Sequence, residues 1–405
     1  MQFVRARRRP FTSAVMALVA AVPVVIGLLA LPASPVEAQE VEEPDYTFVS
    51  MPDFLNADIG DTRASSRWEP GDPNSINASY RRALDVVLDQ VEAEDPSAVL
   101  VAGDLVEGHW GVDVENTGIF GPTRTSRQKR RAVVRAGDLY YSQWKQRFAE
   151  RGLTVFPAVG DHEIGDNPWR PWTFKYNAFD TFKRTWARHF TDLGATYPLR
   201  PVGTEWEDTA YAVYLTPDVL LVTVDVFQRI PGGVRATVTD GQLAWLDGLL
   251  ASTSAKHVIV QGHTPVLGPV RQNHSSGLML EGGANSPFWQ TLRRHGVDVY
   301  LCGEVHEVTA NDDGAILQIA HGALITQGEG GYNYLVGRVY GDRLEFEIKR
   351  IPRTSLDRSA LLWATSWKRP SVGVSYARAS NSAGAAVLGD DGTRLRIGEL
   401  APWSG

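Results

Sequence analysis

The sequence predicts an α/β fold in which several strands end at one edge and present acidic and imidazole side chains there. Three observations carry this expectation. Apolar runs of strand length end in a glycine followed by a metal-ligand type at 98–104 (AVLVAGD), 154–163 (TVFPAVGDHE), 257–263 (HVIVQGH) and 297–306 (VDVYLCGEVH). A fifth run, 47–53 (TFVSMPD), ends at Asp53 without the glycine. Between the first two runs in chain order, Leu84, Val87, Leu88 and Val91 recur at helical spacing, and Pro96 closes that segment before the next strand. Open α/β folds place their ligands at strand ends, and Asp, Asp, His, Glu and His gathered there point to a metal site.

The chain of 405 residues, 43% hydrophobic and 21% charged, has room for one large α/β domain with insertions. Four arginines (Arg5, Arg7, Arg8, Arg9) precede an uncharged apolar run at 14–31, and Val36-Glu37-Ala38 offers a small-x-small cleavage site. These are the three parts of an export signal, with cleavage expected after Ala38. The alternative is an uncleaved membrane anchor, since the run is near the shortest length that spans. Arg8-Arg9-Pro10-Phe11 also resembles a twin-arginine signal, a route that would carry the protein out folded and metal-loaded. The expected location is therefore secreted, periplasmic or in the cell envelope.

Loss of residues 1–38 removes four of the 40 basic and one of the 47 acidic residues, leaving a net charge near −10. That disfavours a nucleic-acid partner. The cluster Arg124, Arg127, Lys129, Arg130, Arg131 and Arg135 reads as a solvated helix face. Cys302 is the single cysteine, which excludes an internal disulfide.

Residues 39–45 read as a polar linker and the fold begins at Tyr46. Pro157 argues for an edge or bulged strand before Gly160. An insertion at about 107–153 divides into a Gly/Thr/Asn-rich loop and a helix over roughly 126–151. Trp110, Trp169, Trp172 and Tyr176 could wall a substrate pocket or simply pack the long loops. Thr239-Asp240-Gly241-Gln242 has the form of a capping box, and Ser286-Pro287 with Gly296 brackets a second helix by cap, first-turn proline and terminal glycine. Residues 334–339 and 344–351 form a hairpin about Gly341-Asp342, and 353–405 reads as a C-terminal extension with a hairpin about 389–392.

The ordered set of motifs ending at Asp53, Asp104, Asp161-His162-Glu163, His263 and Glu304-Val305-His306 resembles the calcineurin-like metallophosphoesterase superfamily over about residues 46–352. The resemblance implies a four-layer α-β-β-α sandwich of two mixed sheets and a two-metal site hydrolysing phosphate esters, where cations about 3.5–4 Å apart activate water and clamp phosphoryl oxygens. It implies Asp104 as the bridging ligand, Asp53 and His306 on the first metal, and Asp161, His263 and Glu304 on the second. His162, beside the ligands without being one, would be the acid.

Three motifs depart from the family pattern. Leu55 stands where the first motif has a histidine, Asp161 where the third has asparagine, and Glu304 where the last has histidine. The resulting oxygen-rich shell suits two ions of Mn or Fe, with Mg or Ca as further choices, better than Zn. Glu107, three positions after Asp104, could replace the ligand missing at Leu55 or partner His162; the superfamily offers a precedent for each. Asn56, Asp58, Asp61 and His321 are further candidates, the first three equally readable as turn residues. Two function classes follow. One is an exported phosphomonoesterase or phosphodiesterase acting on small-molecule or lipid phosphate esters. The other is a weak or inactive relative whose carboxylates hold a structural cation, because added anionic ligands weaken Lewis acidity and repel phosphate.

Overall fold

Alternation along the central strands sends neighbouring side chains to different cores, as the two-residue repeat of a strand requires. Ala98 and Leu100 face an interior shared with Phe48, Leu221, Ile259, Leu301 and Ile319. Val99 and Val101 face the other way, into a core they share with Leu84, Val87 and Leu88 of a helix. Strands buried on both faces read as unbroken apolar runs, and AVLV at Ala98–Val101 and VLLVT at Val219–Thr223 do so.

The structure is a computed structural model. It describes residues 42–405 apart from 54–57, 59, 73, 114–115, 323–330, 358–360, 364–367, 371–372 and 404, with the strands Leu361–Trp363 and Lys368–Pro370 described by backbone alone. Glu43–Gly405 belongs to one compact unit. The predicted export segment, the residues before 42, Leu55 and Asn56 lie outside the described residues. No helix among the described residues is long and apolar enough to cross a membrane.

Most of the described strands build two mixed sheets, of seven and six strands, and the others form two-stranded ribbons. In the larger, Tyr46–Ser50, Ala98–Val101 and Val155–Pro157 run parallel, so Asp53, Asp104 and Asp161 follow strand ends at one edge. Tyr332–Val339 pairs antiparallel with the first of these and Arg343–Ile351 with Tyr332–Val339. Val155–Pro157 is the edge strand, where the missing N–H of Pro157 costs no ladder bond. In the smaller sheet Val219–Thr223, His257–Gln261, Val299–Cys302 and Leu317–Ala320 are parallel, which puts His263, Glu304 and His321 after ends that also share an edge. The interior between the sheets holds Phe48, Leu100, Leu335 and Phe346 from one and Leu221, Ile259, Leu301 and Ile319 from the other. Each such side chain contributes roughly 1.5–3 kcal/mol by leaving water. Helices cover the outer faces, which gives the four-layer α-β-β-α order.

Helix Ala78–Glu92 buries Leu84, Val87, Leu88 and Val91 and is capped by Asn77, whose side chain accepts from the Tyr80 N–H. In the insertion, Ser126–Ala149 starts at a capping box between Thr125 and Gln128. Helix Pro287–Arg294 has the expected Ser286 cap. The box expected at Thr239 does not form. Thr239 makes no cap bond to helix Asp240–Ser252, because the Gln242 side chain instead bonds both the N–H and the carbonyl of Asp225, at 2.9 Å each. Residues read as a C-terminal extension enter the larger sheet: Asn381–Gly389 pairs with Arg343–Ile351 and Arg394–Gly398 with Asn381–Gly389, and Ala386 and Leu388 fill the space between the sheets.

Candidate metal centre

The two sheets meet at the edge where their parallel strands end, and hydrogen bonds join them there. The Glu304 N–H donates to Asp53 Oδ1 at 3.0 Å, and His263 Nδ1 donates to the Ala102 carbonyl at 2.8 Å. The glycines before the ligand-type residues allow this closeness. A Cβ on Gly303 would stand 2.8 Å from Asp53 Oδ1, and one on Gly160 would strike the Asp104 carboxylate. Asp53, Asp104, Glu304 and His306 all have positive φ, between 53° and 70°. Non-glycine residues held in this region cost on the order of 1 kcal/mol or more each, and such strain gathers at functional sites.

Asp104 belongs to two groups of side chains able to hold a cation. One is Asp53, Asp104 and His306, the other Asp104, Asp161 and His263, with the ligand atoms of each group within 4.8 Å of one another. Glu304 joins the second, its Oε2 being 3.4 Å from His263 Nε2. His263 Nε2 also lies 3.2 Å from Asp161 Oδ1 and 3.5 Å from Asp104 Oδ2. Both ligand-type histidines spend Nδ1 on a carbonyl, His263 on Ala102 and His306 on Asn273 at 2.9 Å, so their Nε2 atoms face the site. Fixing the tautomer through the far nitrogen is how proteins orient metal-binding imidazoles. Glu304 Oε1 accepts from Ser275 Oγ, Ser276 Oγ and the Leu278 N–H, which leaves Oε2 for the site. Asp53 Oδ2, fully buried, has no hydrogen-bond partner among the described residues. A buried carboxylate oxygen without a donor is costly unless a cation meets it, so the donor set fits metal ions.

The electrostatics agree. Burial pushes the Asp53 carboxyl up to about 7 despite the pull of His263, and burial likewise holds Asp104 well above the usual carboxylate range. Asp161 goes the other way: desolvation opposes its charge, but His162, His263 and Asn167 outweigh it and lower its pKa. Burial disfavours the charged form of His162, yet Asp104, Asp161 and Asp166 raise it to about 9. Burial brings His306 down to about 4. Such a crowd of carboxylates binds positive charge, protons or metal ions, in competition.

His162 stands beside these groups. Its Nδ1 donates to the Glu107 carbonyl at 2.8 Å and its N–H to Asp104 Oδ1 at 3.1 Å. Glu107 therefore meets His162 through its backbone, while its buried carboxylate forms a further ligand-type group with His109 and His162. Asp58 is engaged in holding the 107–110 loop, accepting from the Glu107 and Gly108 N–H groups and from Trp110 Nε1 at 2.9 Å. Asp61 caps a short 3-10 turn and pairs with Arg63. His321 is buried with Nε2 on Ser50 Oγ at 3.0 Å, outside every ligand-type group found among the described residues. Trp110 and Trp169 are packing residues: Trp110 stacks with Tyr140 and Phe182, and Trp169 sits edge-on to Phe227. Trp172 is 75% exposed.

Three residues of the site carry no role in the sequence reading. Glu163 accepts from the N–H groups of Gly160, Asp104 and Leu105 at 2.7–2.9 Å and so clamps two ligand loops together. Its place at the end of Gly160-Asp161-His162-Glu163 was the available signal. His109 and Asp166 bond each other next to His162, and nothing in their spacing announces it.

A family model described as calcineurin-like phosphoesterase matches residues 57–308, a stretch that contains Asp104, Asp161, His162, His263, Glu304 and His306 and begins just after Asp53. No curated protein matches the chain. Among solved structures, one of PhoD is 14% identical, covers 88% of this chain and 72% of its own, and superposes with a TM-score of 0.52. A dimetal phosphatase from Danio rerio is 15% identical over 75% of this chain and 96% of its own, with a TM-score of 0.45. The calcineurin-like phosphoesterase YfkN from Bacillus subtilis is 12% identical over 83% and 91%, with a TM-score of 0.37. At these identities the likeness to PhoD bears on the fold alone.

Proposed function

Because the chain belongs to the calcineurin-like phosphoesterase family, we propose that it is an exported, metal-dependent hydrolase of phosphate esters, either monoesters or diesters, with His162 as the acid. The observation that carries this reading is the membership of Asp104 in both ligand groups, which suits a carboxylate held between two cations. Asp53 and His306 would complete one site, and Asp161, His263 and Glu304 the other. Cations there would supply Lewis acidity and a water of lowered pKa. With four carboxylates and two imidazoles the set favours Mn or Fe, then Mg or Ca, over Zn.

The chain's own groups orient and protonate. Glu163 and Asp58 hold the ligand loop and the 107–110 loop, the Glu107 carbonyl fixes the His162 ring, and His162 Nε2 is the atom through which a leaving oxygen would receive its proton. The substrate class is a small-molecule or lipid phosphate ester, outside the cytoplasm, as the segment at 1–38 and the acidic charge of the remaining chain suggest. A membrane anchor follows only if that segment is retained.

One observation favours the rival reading of a cation-binding relative without turnover: Glu304 puts a carboxylate where its family motif has imidazole, adding negative charge against phosphate. Metal analysis of the purified protein, followed by assays on a panel of phosphomonoesters and phosphodiesters with Mn²⁺, Fe and Ca²⁺, separates the two. Metal-dependent release of alcohol supports the hydrolase. Bound metal with no turnover of any ester supports the rival.

A further inference from the structure

Helix Ser126–Ala149 carries Arg127, Arg131 and Arg135 four residues apart and exposed, in one row roughly 12 Å long. Like charges at this spacing repel one another. Arg127, Arg130, Arg131 and Arg135, with Val134 and with Thr181 of helix Phe179–Phe190, line an open depression of about 420 Å³ whose lining includes no carboxylate. None of the four arginines makes an ion pair among the described residues. The carboxylates nearest to this lining along the chain are taken, Asp138 by Arg188 and His189 and Asp180 by Arg229. Arg130 and Arg135 are instead braced by backbone, donating to the Asn177 carbonyl at 2.7 Å and the Phe120 carbonyl at 3.0 Å. In a chain of net charge −7, this face is an uncompensated basic surface. Exposed apolar side chains flank it. Trp172 is 75% exposed, and the turn Phe174–Asn177 that follows it is tied to the helix by Arg130 and by Lys129, whose Nζ lies 5.5 Å from the centre of the Phe174 ring. Val112, 38% exposed, follows Gly111, where a Cβ would strike the same ring.

We propose that this face docks on an anionic phospholipid surface, with the arginine row among the headgroups and Trp172 where headgroups meet acyl chains. Charge complementarity argues for that occupant. A row of guanidinium groups roughly 12 Å long meets several phosphates at once, whereas one small anion would leave most of it unanswered. The exposed indole narrows the choice further, because tryptophan favours the headgroup level of a bilayer, where one end of the ring is wet and the other apolar. The acidity of the whole chain does not prevent this. Screening limits charge interactions to about 8 Å at physiological salt, so a surface touching the row responds to the arginines and little to carboxylates on the far side. Docking would bring to the lipid the segments at 107–113 and 161–177, which run from the candidate metal centre to this face. The inference is independent of the hydrolase reading, since it needs neither metal nor turnover.

The full chain tests this, with the readout placed at the patch, because residues 5–31 contain four arginines and an apolar run that can bind lipid by themselves. Cys302 is buried and is the single cysteine. Ser126→Cys therefore gives one position for an environment-sensitive fluorophore at the start of the row, and Ser252→Cys gives a control at the end of a helix between two strands of the smaller sheet. With vesicles of phosphatidylcholine containing phosphatidylglycerol, the label at 126 should brighten and shift to the blue. Vesicles of phosphatidylcholine alone should leave its spectrum unchanged, and the label at 252 should respond to neither. Arg127→Gln with Arg131→Gln and Arg135→Gln should weaken the response on the order of a hundredfold, at about fivefold per charge. Lysine at the same three positions should keep most of it, and Trp172→Ala should weaken it about tenfold. A salt series on the parent protein, in which binding should fall as salt rises, serves in place of the glutamine variant if that does not fold. An equal response to both vesicles, no response to either, or an undiminished response in the glutamine variant overturns the inference. So does displacement by inorganic phosphate at constant ionic strength, which would mark a single-anion site, or equally tight binding of a DNA duplex through the same arginines, which would mark a general polyanion face.

Discussion

Two of the places where the described residues bury charge resolve it differently. Lys183 and Asp225 form an ion pair at 2.6 Å whose remaining valences are filled by protein: Thr209 Oγ1 and the Phe227 N–H donate to Asp225, and Lys183 also donates to the Phe227 carbonyl. One cation answers one anion. At the candidate metal centre five carboxylates, Asp53, Asp104, Asp161, Glu163 and Glu304, are all 3% exposed or less and face three imidazoles. Only Glu163 is fully answered by backbone donors. A buried acidic excess with an orphaned oxygen on Asp53 is a place for added positive charge, whereas a closed pair is scaffold.

Perturbing the two places should therefore give opposite readouts. The largest effect is expected from Asp104→Asn, which removes the carboxylate common to both ligand groups. It should lose at least one metal ion per chain by elemental analysis and nearly all activity, by about 10³-fold or more. Full metal occupancy in this variant would place the bridge elsewhere. Next, His162→Ala should keep its metal content and lose about 10²–10⁴ in kcat, the usual span for a lost acid. An unchanged kcat would remove His162 from the mechanism.

At the closed pair, Lys183→Met should leave metal content alone and destabilise the fold by about 3–5 kcal/mol in denaturant unfolding, because Asp225 is left buried without its cation. Replacing both residues, as Lys183→Met with Asp225→Leu, should recover much of that loss. If the single change is silent, the pair is not the scaffold contact described here.

The smallest effect is expected from pH on the metal-free protein. The folded pKa of Asp53 is raised to about 7, so folding favours its protonated form, and that contribution is present at low pH and lost as pH rises from about 4 to 7. His162, raised to about 9, contributes stability below about 6.5 that is lost towards 9. The lowered His306 opposes this only as pH falls from about 6.5 to 4. The metal-free protein should therefore melt at a lower temperature at pH 8 than at pH 6, and adding Mn²⁺ should reverse the order, since deprotonated ligands bind it more tightly. A melting temperature insensitive to both pH and metal would contradict the acidic-excess account.

The motif residues were legible because strand-end geometry is local: an apolar run, a glycine and a ligand type fall within a few residues, and six of the proposed site residues lie at such ends. The helices were legible from periodicity and caps for the same reason, except at Thr239, where a distant partner, Asp225, took the side chain of Gln242. His109 was unreadable because its partner Asp166 lies 57 residues away and no repeat links them. The aromatic residues near the motifs were equally ambiguous, and only packing decided that Trp110 belongs to the core.

By itself, then, the sequence determined the α/β class, the order of the ligand motifs and the family they belong to, because each depends on residues adjacent along the chain. Tertiary structure decided which oxygen of Glu304 faces the site, that Asp58 holds the 107–110 loop, that Glu107 meets His162 through its carbonyl, and that residues 381–398 complete the larger sheet. Those outcomes depend on which donors and acceptors arrive from the opposite sheet or a distant loop, and that competition is settled only when the layers close.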